Sequence, residues 1–109
     1  MTDITVQELK EKMDNDEDLL ILDVREPFEK YQSDIDYSPS KLIPIGELTD
    51  RVDELEEYRE KEIVCLCRSG GRSENARKFL KEKEFEHVKN LKGGINEWAR
   101  KIDTSLPVY

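Results

Sequence analysis

Cysteine is scarce in this chain: its 109 residues hold two, Cys65 and Cys67, with one residue between them. Two are too few for a disulfide framework, and same-face neighbours along one strand have poor geometry for bridging, so both are expected to be reduced, in a reducing compartment. Histidine occurs once, at His87. A zinc site on Cys65-x-Cys67 would need a further good pair of ligands, so no metal is expected, and no motif calls for a cofactor. Long apolar runs are missing too. No stretch approaches the about 20 residues that cross a bilayer, and Met1-Thr2-Asp3 lacks the basic-then-apolar start of a secretory signal, so the expected location is cytoplasmic. Positive charge is in deficit, with 18 Lys and Arg against 26 Asp and Glu, a net charge of −8. Binding phosphate backbones or an anionic membrane surface requires the opposite sign, and neither nucleic acid nor membrane is expected as a partner.

Apolar residues make up 36% and charged residues 40% of the chain, polar for a globular protein, yet the apolar ones fall in patterned runs rather than singly. One domain covering residues 1–109 is expected. Thr5-Val6-Gln7-Glu8 has the spacing of a capping box, which predicts a helix from Val6 to about Asn15 with Val6, Leu9 and Met13 inward. Asp14 to Asp18 reads as a solvated acidic turn. Leu19 to Val24 is apolar on both faces, the pattern of a strand covered on both sides. Leu42 to Ile45 reads as a short strand limited by Pro44, and Leu48 to about Arg59 as a helix with Leu48, Val52 and Leu55 inward. Ile63 to Leu66 and His87 to Leu91 read as two more strands, followed by a helix carrying Ile95, Trp98 and Ala99 after the turn at Gly93-Gly94. The segment from Asp103 to Tyr109 shows no periodicity. Alternating strands and helices predict an α/β fold: a parallel sheet of about five strands with helices on both faces.

The chemistry concentrates at Cys67-Arg68-Ser69-Gly70-Gly71-Arg72-Ser73, between the strand ending at Leu66 and a helix, about Ser73 to Glu84, whose Ala76, Phe79 and Leu80 share a face. Adjacent glycines free the backbone to turn successive N–H groups inward, an anion cradle with the sulfur at its edge. The positive end of the helix and the guanidiniums of Arg68 and Arg72 favour thiolate over thiol, which makes Cys67 the candidate nucleophile. From Arg68 to Lys78 the local charge is +3, against the sign of the whole, so a small anionic substrate suits this end. Sites in such sheets lie beyond the strands' carboxyl ends, which brings Asp23 and Arg25 close, as supports of the cysteine loop. Asp23 is placed to cap a turn and Arg25 to pair with Glu29. Cys65 reads as a small core residue and His87, at the start of its strand, as a surface residue without a chemical role.

These stretches resemble the single-domain rhodaneses, sulfurtransferases whose active-site loop reads Cys-Arg-x-Gly-x-Arg or Thr, matched by residues 67 to 72. Asp23-Val24-Arg25-Glu26-Pro27-Phe28-Glu29 is similar to the family's first signature and Asn90 to Trp98 to its closing one. The resemblance implies the α/β fold above, a persulfide carried on Cys67, and binding of its sulfur by the amides from Arg68 to Ser73, that is by Arg68, Ser69, Gly70, Gly71, Arg72 and Ser73. It implies a small anionic sulfur donor such as thiosulfate, or a persulfide-donating protein. Leu42 to Leu48 and Ser105 to Tyr109 resemble the sulfurtransferase domain of enzymes that adenylate ubiquitin-like sulfur carriers, which adds a sulfur-carrier protein as acceptor. A non-catalytic interaction module on the same fold is the alternative that the intact loop opposes. Related phosphatases and arsenate reductases place an arginine after five intervening residues; here that position is Ser73, and Leu66 stands where many of the phosphatases have histidine, so that chemistry is disfavoured. From Lys30 to Lys41 the chain departs from the family: Lys30 replaces an aromatic residue, the loop is longer, and no histidine follows. One wall of the site, and with it substrate choice, is expected to differ.

Overall fold

The computed structural model describes residues 2–109; Met1, the first residue of the expected domain, lies outside the described residues. Five strands, β1 (Asp3–Ile4), β2 (Leu19–Asp23), β3 (Ser40–Leu42), β4 (Glu62–Leu66) and β5 (His87–Leu91), form one sheet in the order β1-β5-β4-β2-β3. Every pairing is parallel, so all carboxyl ends lie along one edge. Parallel strands need crossovers: α1 (Val6–Asp14) joins β1 to β2, α2 (Leu48–Arg51) lies between β3 and β4 and α3 (Gly71–Glu82) between β4 and β5, while α4 (Gly94–Lys101) follows β5.

Strand alternation divides the core into two layers. Leu20, Leu22, Ile63, Cys65 and Cys67 face α2 and α3 and pack with Leu48, Leu55, Ala76 and Leu80. Leu19, Ile21, Val64 and Leu66 face α1 and α4 and pack with Val6, Leu9, Ile95 and Trp98. All five residues of β2 are buried, as its two-sided apolar pattern requires. The Thr5 capping box forms: its hydroxyl accepts from the Glu8 N–H at 3.1 Å, and the Glu8 carboxylate accepts from the Thr5 N–H at 2.9 Å.

Several elements differ from the sequence reading. The edge strand is Ser40–Leu42 rather than 42–45, because Pro44 has no N–H to donate. Ile43 and Ile45 on either side of it still donate to Asp23 and Val24 carbonyls, at 2.9 and 3.0 Å. The helix expected over 48–59 is α-helical for one turn only and continues as a 3₁₀ helix, Val52–Tyr58. Leu48 and Leu55 are both buried, and truncating such a side chain costs about 2–5 kcal/mol, enough for burial to override local helix type. Two short elements, β1 and a 3₁₀ helix at Pro27–Tyr31, had too few residues to show a period.

The carboxyl edge is tightened by glycine. Gly94 has φ +64°, and a Cβ there would lie 2.5 Å from the backbone carbon and oxygen of Arg68 and 2.6 Å from the Cys67 oxygen. Gly71, by contrast, has no neighbour within 4 Å of such an atom. Gly94→Ala is therefore expected to lower stability by about 2 kcal/mol or more in denaturant titration, while Gly71→Ala leaves the midpoint within about 0.5 kcal/mol.

Candidate active site

β4 delivers Cys67 to the carboxyl edge, and the chain turns at Gly70, φ +112°, into α3. Of the two loop glycines only Gly70 takes a left-handed conformation; Gly71 opens the helix, which therefore begins two residues before Ser73. The carbonyls of Cys67 and Arg68 point outward to the start of α4, accepting from the N–H groups of Ile95 at 2.9 Å and Asn96 at 3.1 Å. In a planar trans peptide the next N–H points the opposite way, so holding the Arg68 carbonyl outward turns the Ser69 N–H toward the sulfur. The Gly70 N–H donates to Cys67 Sγ at 3.0 Å, and the Ser73 Oγ lies 3.2 Å from it.

The sulfur sits on the floor of this loop, not at its edge: Cys67 is 1% exposed. The reason is strand phase, since Cys67 continues the face of Ile63 and Cys65 and points into the layer under α3. Burial alone raises a thiol pKa. Here the Ser73 hydroxyl and the N–H groups of Ser73, Gly70 and Ser69 outweigh that effect, and the Cys67 thiol is held below its ordinary value. Cys65 has no such donors, and burial pushes its thiol far up. Ser73 carries one hydroxyl proton, which it gives to Asn90 Oδ1 at 2.5 Å. When the sulfur is ionised, that proton is the one free to turn to it, so Ser73 and Asn90 form the thiol's polar wall.

The loop's cations are engaged elsewhere. Arg72 makes a two-pronged pair with Glu29, at 2.7 and 2.9 Å, and Arg77 pairs with Glu74 at 2.6 Å. The local +3 counted along the sequence already includes Glu74, and Glu29, which comes from another element, lowers it to +2 in space. Arg68 is exposed and forms no ion pair among the described residues; its guanidinium lies 5.1 Å above the Tyr109 ring.

Asp23 and Arg25 stand beside the loop without touching the sulfur. Arg25 is fully buried and holds Asp23 through two bonds, at 2.9 and 2.8 Å, rather than pairing with the Glu29 carboxylate as its spacing suggested. From Glu29 it receives only a carbonyl, at 3.2 Å, along with the Ser33 carbonyl at 2.8 Å and the Tyr109 hydroxyl at 3.0 Å. That leaves the Glu29 carboxylate free for Arg72 and for the Tyr109 hydroxyl, which donates to it at 2.9 Å. His87 is exposed at the start of β5, the end away from Cys67.

Four residues were given no role at the sulfur site by the sequence reading: Glu29, read only as a partner of Arg25, and Asn90, Asn96 and Tyr109. Glu29 and Asn90 lie inside the two flanking motifs, which is the only signal they carried. Asn96 lies in the closing motif as well, and Tyr109 in the resembling stretch Ser105 to Tyr109; the Asn96 side chain and the Tyr109 backbone join at 3.1 and 3.2 Å, tying the aperiodic segment 103–109 to α4.

A thiol at a parallel strand's end, ringed by amides at the start of a helix, defines a site built to hold charge on sulfur. A family model for the rhodanese-like domain matches residues 5–101, and the chain belongs to the rhodanese-like family. It is 35% identical over 103 residues to a sulfurtransferase from Allochromatium vinosum, covering 92% of this chain and 90% of that protein. To the adenylyltransferase and sulfurtransferase MOCS3-1 of Zea mays it is 37% identical over 111 residues, covering 97% of this chain. The chain spans 23% of that protein's length. Among solved structures, a rhodanese-related protein from Thermoplasma volcanium superposes with a TM-score of 0.78 at 33% identity, over 100% of this chain and 98% of that one.

Two outcomes follow from the electrostatics. Ser73→Ala is expected to raise the pH at which Cys67 ionises, read by thiolate ultraviolet absorbance, with Cys65 silent throughout. Glu29, paired mainly with Arg72, has its pKa held down to about 2 from the ordinary 4.5. A depressed carboxylate stabilises the fold above its unfolded pKa, and that contribution disappears as pH falls from about 4.5 through about 2. Glu29→Gln should remove this part of the acid-unfolding slope. At pH 7 it should cost about 1 kcal/mol, a modest value because Arg72 is partly exposed and water screens the pair.

Proposed function

We propose that the protein is a sulfurtransferase that moves sulfane sulfur from a donor, such as thiosulfate or a protein persulfide, to a thiophilic acceptor through a persulfide on Cys67. The observation that carries this reading is the set of inward donors on Cys67 Sγ, which favours an ionised sulfur in spite of its burial. With thiosulfate, the Cys67 thiolate attacks the outer sulfur, a sulfur–sulfur bond forms, and the bond to the sulfite sulfur breaks. Sulfite leaves with the electron pair. The product is Cys67–S–S⁻, held in a loop whose Arg68, Ser69 and Gly71 are exposed. A nucleophile such as cyanide then takes that sulfur and returns the Cys67 thiolate.

A thiolate nucleophile requires no general base. The groups within hydrogen-bond reach of the sulfur suit that: a backbone N–H, that of Gly70, and the Ser73 hydroxyl, neither of which is a general base. The amides supply the preorganised stabilisation, and the start of α3 favours negative charge there. Arg68 is the loop cation left to attract an anionic donor.

Similarity over most of the chain to a putative sulfur carrier protein of Bacillus subtilis, 39% identical over 102 residues, supports a second acceptor, a sulfur-carrier protein. Phosphate or arsenate chemistry is less well served, because Arg72, the nearest counterpart of those enzymes' arginine, is held by Glu29. Cys67→Ser is expected to abolish thiosulfate:cyanide turnover while leaving the unfolding midpoint within about 1 kcal/mol. Incubation with thiosulfate should add the mass of one sulfur to the Cys67 peptide, and a parallel phosphatase assay should stay at background. Turnover retained in Cys67→Ser, or sulfur found only elsewhere, would refute the assignment.

A further inference from the structure

We infer that Tyr109 is a positioning residue of this site: its ring holds Arg68 at the mouth of the loop as the receiver for an anionic sulfur donor, and its hydroxyl sets the Glu29–Arg72 pair at the first turn of α3. In naming a sulfur donor the inference rests on the function proposed above. Its geometry is independent of it.

A phenol can accept one hydrogen bond and donate another, and Tyr109 does both: it accepts from Arg25 Nη1 at 3.0 Å and donates to Glu29 Oε1 at 2.9 Å. Glu29 is thereby saturated. Oε1 takes Tyr109 and Arg72, and Oε2 takes Arg72 and the Glu26 N–H at 2.7 Å. A carboxylate with four donors is fixed in direction, so the Arg72 guanidinium it holds is fixed as well, at the second residue of α3.

The ring acts on the other arginine. Arg68 has no carboxylate partner among the described residues, and a long exposed side chain without one samples many rotamers. Stacking over the Tyr109 ring, 5.1 Å from its centroid, gives it one preferred place while leaving its charge unneutralised. That is what an anion receiver needs. Tyr109 is itself anchored on both sides of its backbone by Asn96, whose N–H holds the Arg68 carbonyl at 3.1 Å. One residue thus serves both arginines of the loop, although it lies 37 positions beyond Arg72 in the sequence.

Steady-state thiosulfate:cyanide kinetics on Tyr109→Leu and Tyr109→Phe test this, alone and combined with Arg68→Gln. Tyr109→Leu is expected to lower kcat/KM for thiosulfate about fivefold, with that for cyanide held within about twofold, and to add little once Arg68 is already glutamine. Tyr109→Phe keeps the ring and should recover most of the loss. In denaturant titration, Tyr109→Phe and Glu29→Gln should be non-additive, because they remove two ends of one bond. To separate a failure here from a failure of the persulfide reading, thiosulfate binding is measured by calorimetry on the Cys67→Ser protein, which needs no turnover. An about fivefold weaker affinity with Tyr109→Leu supports the inference even if wild-type Cys67 takes up no sulfur. Unchanged affinity, equal losses for both substrates, or additivity with Arg68→Gln would overturn it.

Discussion

The site depends on two hydrogen bonds that do not touch the sulfur. The N–H groups at the start of α4 hold the carbonyls of Cys67 and Arg68 outward, at 2.9 and 3.1 Å. Since a peptide plane carries its C=O and N–H in opposite directions, that grip turns the loop's own amides toward Cys67. Gly94 makes the contact possible, because any side chain there would collide with the Cys67–Arg68 backbone. The lowering of a buried thiol's pKa is thus tied to how closely two backbones approach. The charge is met by amide dipoles already aligned by folding, which need no rearrangement when the thiolate forms.

Side-chain charge plays a smaller part than its abundance suggests. The chain is acidic, and its loop arginines are shared out: Arg72 to Glu29, Arg68 to the face of Tyr109. What remains at the mouth is one uncompensated guanidinium and the positive end of a helix. Such a field would orient the small anionic donor proposed above without surrounding it with counter-charges. Behind it, the Asp23–Arg25 pair is buried. Such a pair is costly to break, by about 3–5 kcal/mol when one partner is removed, so it serves as a stiff backing for the segment that presents Glu29.

Much of this was legible in the residues themselves. Cys67, its loop and the strand-to-helix turn followed from a glycine-bearing motif between an apolar run and a helical period, and the two-sided core followed from β2. The Thr5 capping box was readable because its partners are three residues apart. Other features were hidden for physical reasons. Arg25 was read as the partner of Glu29 from spacing, yet burial next to Asp23 gave it a nearer carboxylate. The sulfur was placed at the edge of its cradle because the motif shows which residues turn but not how deep the preceding strand carries them. Pro44 was seen as a limit on its strand, while the bonds on either side of it depended on a neighbour distant in sequence.

The amino-acid sequence by itself determined the order of the longer strands and helices, the candidate nucleophile and the loop around it, because these rest on patterns within a few residues. Only the tertiary structure decided which charges face one another and how the loop's amides are aimed. Glu29, Asn90, Asn96 and Tyr109 reach the site across gaps of up to tens of residues, and no local preference records a contact that exists only when the sheet edge has closed.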